Sequence, residues 1–188
     1  MASRNRPSLL SLIPNLINAL VPIGGVIFLA IGFSGLLVVG FGSIFSKDFI
    51  SGDGAGVVYT SERCADYFRF HPEAKDCYSA ATAHHYDEVV DIRGGIGAVG
   101  SMVLIAYYGL RRRFKWASDT RVIPRGFSSI VAASLFGAAA FLLLGIFAMQ
   151  AGFGNTTGVG VLLASGLVSV VAFLAYATQL SRDLLRAG

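Results

Sequence analysis

The sequence predicts an all-α integral membrane protein with four transmembrane helices, and three observations carry that prediction. Of its 188 residues, 54% are hydrophobic and only 14% are charged, against about 25% charged in a soluble domain. The charge is segregated into blocks, leaving long windows that carry none. The apolar windows have the length that a helix needs to cross a hydrocarbon core of about 30 Å, which takes about 20 residues.

In chain order, Arg4 and Arg6 precede forty uncharged residues from Pro7 to Ser46. That is too long for one simple span, and Pro22 divides it. Before Pro22, Leu9, Leu12, Ile13, Leu16, Ile17 and Leu20 share one helical face, while Ser8, Ser11, Asn15 and Asn18 share the opposite one. This periodicity predicts an amphipathic helix over 1–21 lying in the membrane interface. Residues 22–46 are apolar all round and read as the first span. The apolar run exceeds the core of a cleavable leader, so the segment is expected to be retained.

Residues 47–88 form the one long polar stretch. The second apolar run, Gly94 to Leu110, is short by itself and is extended by Val89, Val90 and Ile92 to a span at 89–110. The connector 111–125 holds six basic residues against one acid, Asp119. The third span (126–149), a short link (150–157), the fourth span (158–180) and a basic tail (181–188) complete the chain.

Four spans put the N-terminus, the 111–125 connector and the C-terminus on one side, with ten Lys/Arg against two acids; the other side has five against nine. Short loops rich in Lys and Arg stay inside. The expected location is therefore the cell membrane, multi-pass, with both termini cytoplasmic and 47–88 extracytoplasmic. The formal charge of +4 is explained by these flanks, and no nucleic-acid partner is expected.

Lipid tails give helices no hydrophobic reason to associate, so close approach at small residues matters. Pairs spaced by four stand at Ala30 and Ser34, Gly94 and Ala98, Ser129, Ala133 and Gly137, and Gly160 and Ala164. They predict a four-helix bundle and offer faces for other membrane subunits or for a second copy. The spans 22–46, 126–149 and 158–180 contain no Asp, Glu, Lys, Arg or His. Proton relays, ion paths and counter-ion sites use such residues, so a proton-coupled transporter or ion pump is disfavoured.

Within 47–88, Ser51–Gly56 reads as a glycine-rich connector and Val57–Thr60 as a short extended segment. Ser61 is placed to cap a helix from Glu62 to Phe70. His71-Pro72-Glu73 breaks it, and Pro72 is expected to open a second helix running to Tyr86 and on into the second span. Cys64 and Cys77 are the only cysteines, one on each arm of this helical hairpin. In an oxidising compartment they read as a structural disulfide; a catalytic dithiol would use Cys-x-x-Cys.

If this region is helical, His84, Asp87, Glu88 and Asp91 share one face. Four such donors suit a divalent metal, with His71 or Glu73 completing the shell; otherwise they form an acidic, partner-facing patch. Asp91 is expected to neutralise Arg93 as a membrane-boundary ion pair, with Arg93 reaching outward to water. No catalytic constellation and no organic cofactor are indicated. The leading expectation is a non-catalytic four-span subunit of a larger membrane complex, its helical cap acting as recognition surface. The alternative is a metal-dependent enzyme or binding protein built on His84, Glu88 and Asp91.

Overall fold

The computed structural model of the chain describes residues 9–51, 61–114, 126–155 and 157–185. Six helices account for most of them: α1 (Leu9–Ile44), α2 (Lys47–Ser51), α3 (Ser61–Phe70), α4 (Cys77–Phe114), α5 (Phe127–Gly152) and α6 (Gly160–Leu185), with no strand among the described residues. Helices α1, α4, α5 and α6 are each long and apolar enough to cross a membrane. The extended segment expected at Val57–Thr60, the arginines Arg4 and Arg6, and the connector from Lys115 to Arg125 lie outside the described residues.

Helix α1 corrects the expected division at Pro22. It is continuous over 36 residues and contains both Pro14 and Pro22, so residues 9–21 belong to the same helix as the first span. Proline lacks the N–H that would bond the carbonyl four residues back, which leaves the Asn18 carbonyl without its helical partner. The Tyr107 hydroxyl of α4 supplies one. It stands 3.2 Å from the Asn18 backbone oxygen and 3.0 Å from Asn18 Oδ1. Such outside donors are how apolar-phase helices tolerate proline. The amphipathic pattern is thereby turned inside out: Asn15 is buried and Asn18 meets α4, while Ile13, Leu16 and Leu20 are exposed.

Helices α1 and α4 meet backbone to backbone. A Cβ added to Gly32 would stand 2.5 Å from Gly97 Cα, and one added to Gly97 would stand 2.6 Å from Gly32 Cα. One turn further along, a Cβ on Gly100 would meet Leu29 N at 2.7 Å and the Gly25 carbonyl oxygen at 2.9 Å. The small residues expected to pack here, Gly94 and Ala98, are instead exposed, and a Cβ at Gly94 meets nothing within 4 Å. At 3.6 residues per turn, Gly94 and Ala98 lie about 60° and 100° around the helix from Gly97, on the side away from Gly100, so the contact stripe passes through Gly97 and Gly100 and leaves Gly94 and Ala98 to one side.

The four long helices do not all pack against one another. No Cα of α4 comes within 8 Å of a Cα of α5 or α6, whereas α1 approaches α4, α5 and α6. Helix α1 is therefore central, with α4 on one flank and the α5–α6 pair on the other. Ser129, Ala132, Ala133, Phe136 and Ala140 of α5 are buried, as are Gly160, Ala164, Gly166 and Ser169 of α6. Phe136 stacks on Tyr176 with ring centroids 6.0 Å apart, and Gly137 faces the Phe173 ring. Ile23, with Ala30 packed beside it, joins α1 to this cluster.

The short helix α2 ties the ends together. Its Ile50 packs with Val38 of α1 and Ala164 of α6, and Gly160 leaves room for the Phe49 and Ile50 side chains. The Asp48 carbonyl accepts the Gly158 N–H at 3.0 Å, where Gly158 has φ 71°. That left-handed backbone is open to glycine without strain.

Two predictions follow from these contacts. Gly97→Ala or Gly32→Ala forces backbone apart from backbone and is expected to destabilise the folded state by about 1–3 kcal/mol, while Gly94→Ala, whose added Cβ meets nothing, does not lower the thermal unfolding temperature in detergent. Tyr107→Phe is expected to cost about 1 kcal/mol. Because Pro22 creates the demand for that hydroxyl, the cost shrinks in a Pro22→Ala background, and a double-mutant cycle on unfolding reads the coupling.

Candidate functional site

Two places concentrate polar chemistry. One is the helical hairpin at the Cys77 end of α4; the other lies within the spans around Arg93.

In the hairpin, α3 and α4 are joined by the disulfide Cys64–Cys77, with Cα atoms 5.4 Å apart. The second arm starts at Cys77 rather than at Pro72. Pro72 sits instead at the second position of a turn closed by Ala74 N–H to the His71 carbonyl at 3.1 Å, a position its fixed φ suits. Asp76 then caps α4. Its Oδ1 accepts the Ser79 N–H at 2.7 Å, and Ser79 Oγ accepts the Asp76 N–H at 3.2 Å, a reciprocal arrangement of the capping-box kind. The Ser79 amide, and after it the Ser79 hydroxyl, holds the Asp76 carboxyl below the usual carboxylate range.

The side chains His84, Asp87, Glu88 and Asp91 lie on α4, but they turn to different neighbours. His84 stacks on Phe70 at 5.6 Å and lies against Tyr67 at 5.3 Å. Asp87 pairs with the buried His71, 3.6 Å from its Nε2, and Glu73 lies 3.7 Å from His71 Nδ1. Glu88 faces His85 Nδ1 at 3.4 Å, and Asp91 is exposed. Among the described residues no three His, Cys, Asp or Glu side chains are grouped to hold a metal ion. The histidines bind the hairpin together: His71 links the turn to α4, and the His84 ring fills the space between the arms.

Arg93 departs from expectation most. Residues two apart on a helix do not face each other, so Asp91 and Arg93 form no boundary pair. Arg93 turns inward, its guanidinium donating to Ser34 Oγ of α1 and, at 3.0 Å, to Ser165 Oγ of α6. Gly35 leaves the room for this, since a Cβ there would stand 3.1 Å from Arg93 Cβ. The Ser34 hydroxyl in turn donates to the Ile31 carbonyl at 2.7 Å. No carboxylate lies within ion-pair distance of Arg93 among the described residues.

Ser34 and Ser165 also line a cavity of about 300 Å³ between α1, α5 and α6. The rest of its wall is hydrocarbon from Ile27, Ile31, Phe136, Ala139 and Leu143, and the one further hydroxyl, Ser169 Oγ, donates to the Ser165 carbonyl at 2.8 Å. Sequence reading missed this centre because Arg93 sits next to the polar stretch, where water is within reach of its side chain. The usable signal was Ser34, the one polar side chain between Pro22 and Gly42.

The Asp76 contribution has a defined pH window. Its folded pKa is lowered, so the stabilisation is fully present above the unfolded value of about 3.9 and fades as pH falls through the lower folded value. Asp76→Ala is expected to melt earlier than wild type at neutral pH, with the gap closing below about pH 4. A gap that stays constant across that range in thermal melts would assign the effect to something other than the carboxylate.

Compared with known proteins, the chain matches no family model, no curated protein and no solved structure.

Proposed function

We propose that this chain is a non-catalytic four-span subunit that assembles with other membrane proteins, or with itself, in the cell membrane, with both termini cytoplasmic and the disulfide-bonded hairpin as an extracytoplasmic recognition surface. The observation that carries this reading is the uncovered side of α4. Helix α4 is flanked by α1 alone among the long helices, and its other side exposes Gly94, Gly95, Ala98 and Gly109. A Cβ at any of the three glycines meets nothing within 4 Å. Glycines whose open side meets nothing among the described residues leave room for the backbone of another helix, the approach by which helices associate in lipid. The orientation is supported by the basic residues Arg111, Arg112 and Arg113 at the far end of α4 and by the acids gathered at the hairpin end.

The hairpin suits a recognition role for a separate reason. Its two arms are joined covalently and its histidines are engaged within it, so its outer acids stand on a preorganised support, and binding to it sacrifices little conformational freedom.

Extraction in a mild detergent followed by native mass spectrometry tests the reading. The expected result is a homo-oligomer or a stoichiometric partner that is lost in Gly95→Leu and Ala98→Leu and kept in a control on α5, Gly145→Leu. A wild-type chain that emerges only as a monomer, with nothing bound, overturns it.

A further inference from the structure

We infer that Arg93, Ser34 and Ser165 form a binding site for one anionic phospholipid, whose phosphate is held by the Arg93 guanidinium and whose acyl chain occupies the apolar cavity below the two serines. The inference stands independently of the subunit reading.

The first step is charge. An arginine turned into apolar surroundings is normally matched by an acid or by a carbonyl cluster, because a lone cation there is costly. Arg93 has two serine hydroxyls and no carboxylate among the described residues. A guanidinium carries five N–H donors in a planar fork that matches phosphate oxygens two at a time. The two serines occupy a single nitrogen, Nη1, so the second terminal nitrogen is available for a phosphate.

The second step is depth. Counting back along α4 from Arg111 by the roughly 20 residues that a 30 Å core takes up reaches Asp91. Arg93 thus lies at the edge of the hydrocarbon on the hairpin side, at the level where a lipid phosphate meets its acyl chains. A soluble anion would have to be brought down to that level, whereas a lipid headgroup resides there.

The third step is shape. From Ser34 to Ile27 the cavity follows α1 for seven residues, about 10 Å at 1.5 Å per residue, and from Ser165 to Ser169 it follows α6 in the same inward direction. Polar groups at the headgroup level with hydrocarbon beneath them repeat the polarity of a lipid. Leu135 of the cavity wall is exposed, so on this side the cavity borders the bilayer. Its volume of about 300 Å³ stands at the small end of ligand sites, which suits the upper part of one chain and not a whole lipid.

The test uses the full chain reconstituted in phosphatidylcholine vesicles, with spin-labelled phosphatidylglycerol or spin-labelled phosphatidylcholine as the probe. The expected result is that phosphatidylglycerol is motionally restricted by wild type with about tenfold higher relative affinity than phosphatidylcholine. Arg93→Gln abolishes the preference and Arg93→Lys retains part of it. Ala139→Phe, which fills the cavity and leaves Arg93 and both serines in place, also abolishes it. Equal restriction of the two lipids by wild type overturns the proposal without recourse to any variant. A preference that survives Arg93→Gln overturns the assignment to Arg93, and one that survives Ala139→Phe overturns the placement of the chain. Displacement of the label by millimolar inorganic phosphate would show that the headgroup alone is recognised, and so overturns the lipid as occupant.

Discussion

The approach of α1 to α4 at Gly32 and Gly97 is the constraint on which the rest depends. With no side chain between them, the two backbones come close enough for short polar groups to reach across. At one end of the seam Tyr107 reaches Asn18, and at the other Arg93 reaches Ser34. A larger residue at either glycine would widen the seam and separate both pairs together. Two polar interactions about 20 Å apart along α4, at 1.5 Å per residue, are thus held by one steric fact.

Much of the architecture was legible because the bilayer imposes lengths and the charges keep to blocks. The four long apolar helices and the cysteine pair follow from run length and residue type alone. The path of α1 through Pro22 was not legible, because the remedy for the missing hydrogen bond is Tyr107, eighty-five residues away in sequence. Only the tertiary fold brings that hydroxyl to the Asn18 carbonyl. The hairpin illustrates a finer limit. Asp76 and Ser79 carry a local capping signal that competes with Pro72 as a helix start, and the turn closed by Ala74 decides between them.

The polar residues raise the same issue in reverse. A periodic stripe of Ser and Asn beside a stripe of Leu and Ile fits a helix at the water boundary, and it fits equally a helix inside lipid with its polar stripe turned to a neighbour. Periodicity gives the angle between two faces and says nothing of which one meets the solvent. For the acidic run on α4, the shared helical face is real, but Asp87 turns to His71, Glu88 to His85 on its own helix, and Asp91 is left exposed, so the carboxylates do not converge. Arg93 was hidden by its neighbourhood, since an arginine beside a polar stretch looks free to meet water until Ser34 and Ser165 are seen beside it.

The continuity of α4 has a mechanical meaning. A helix of 38 residues is a rod of about 57 Å, with a half-cystine at one end, a triple-arginine collar at the other and its fulcrum near Gly97. A tilt of about 10° around that fulcrum would carry Cys77, about 30 Å away, through about 5 Å. The hairpin and the triple-arginine collar are therefore the two ends of one continuous helix, and the position of either fixes that of the other to the extent that the helix stays straight.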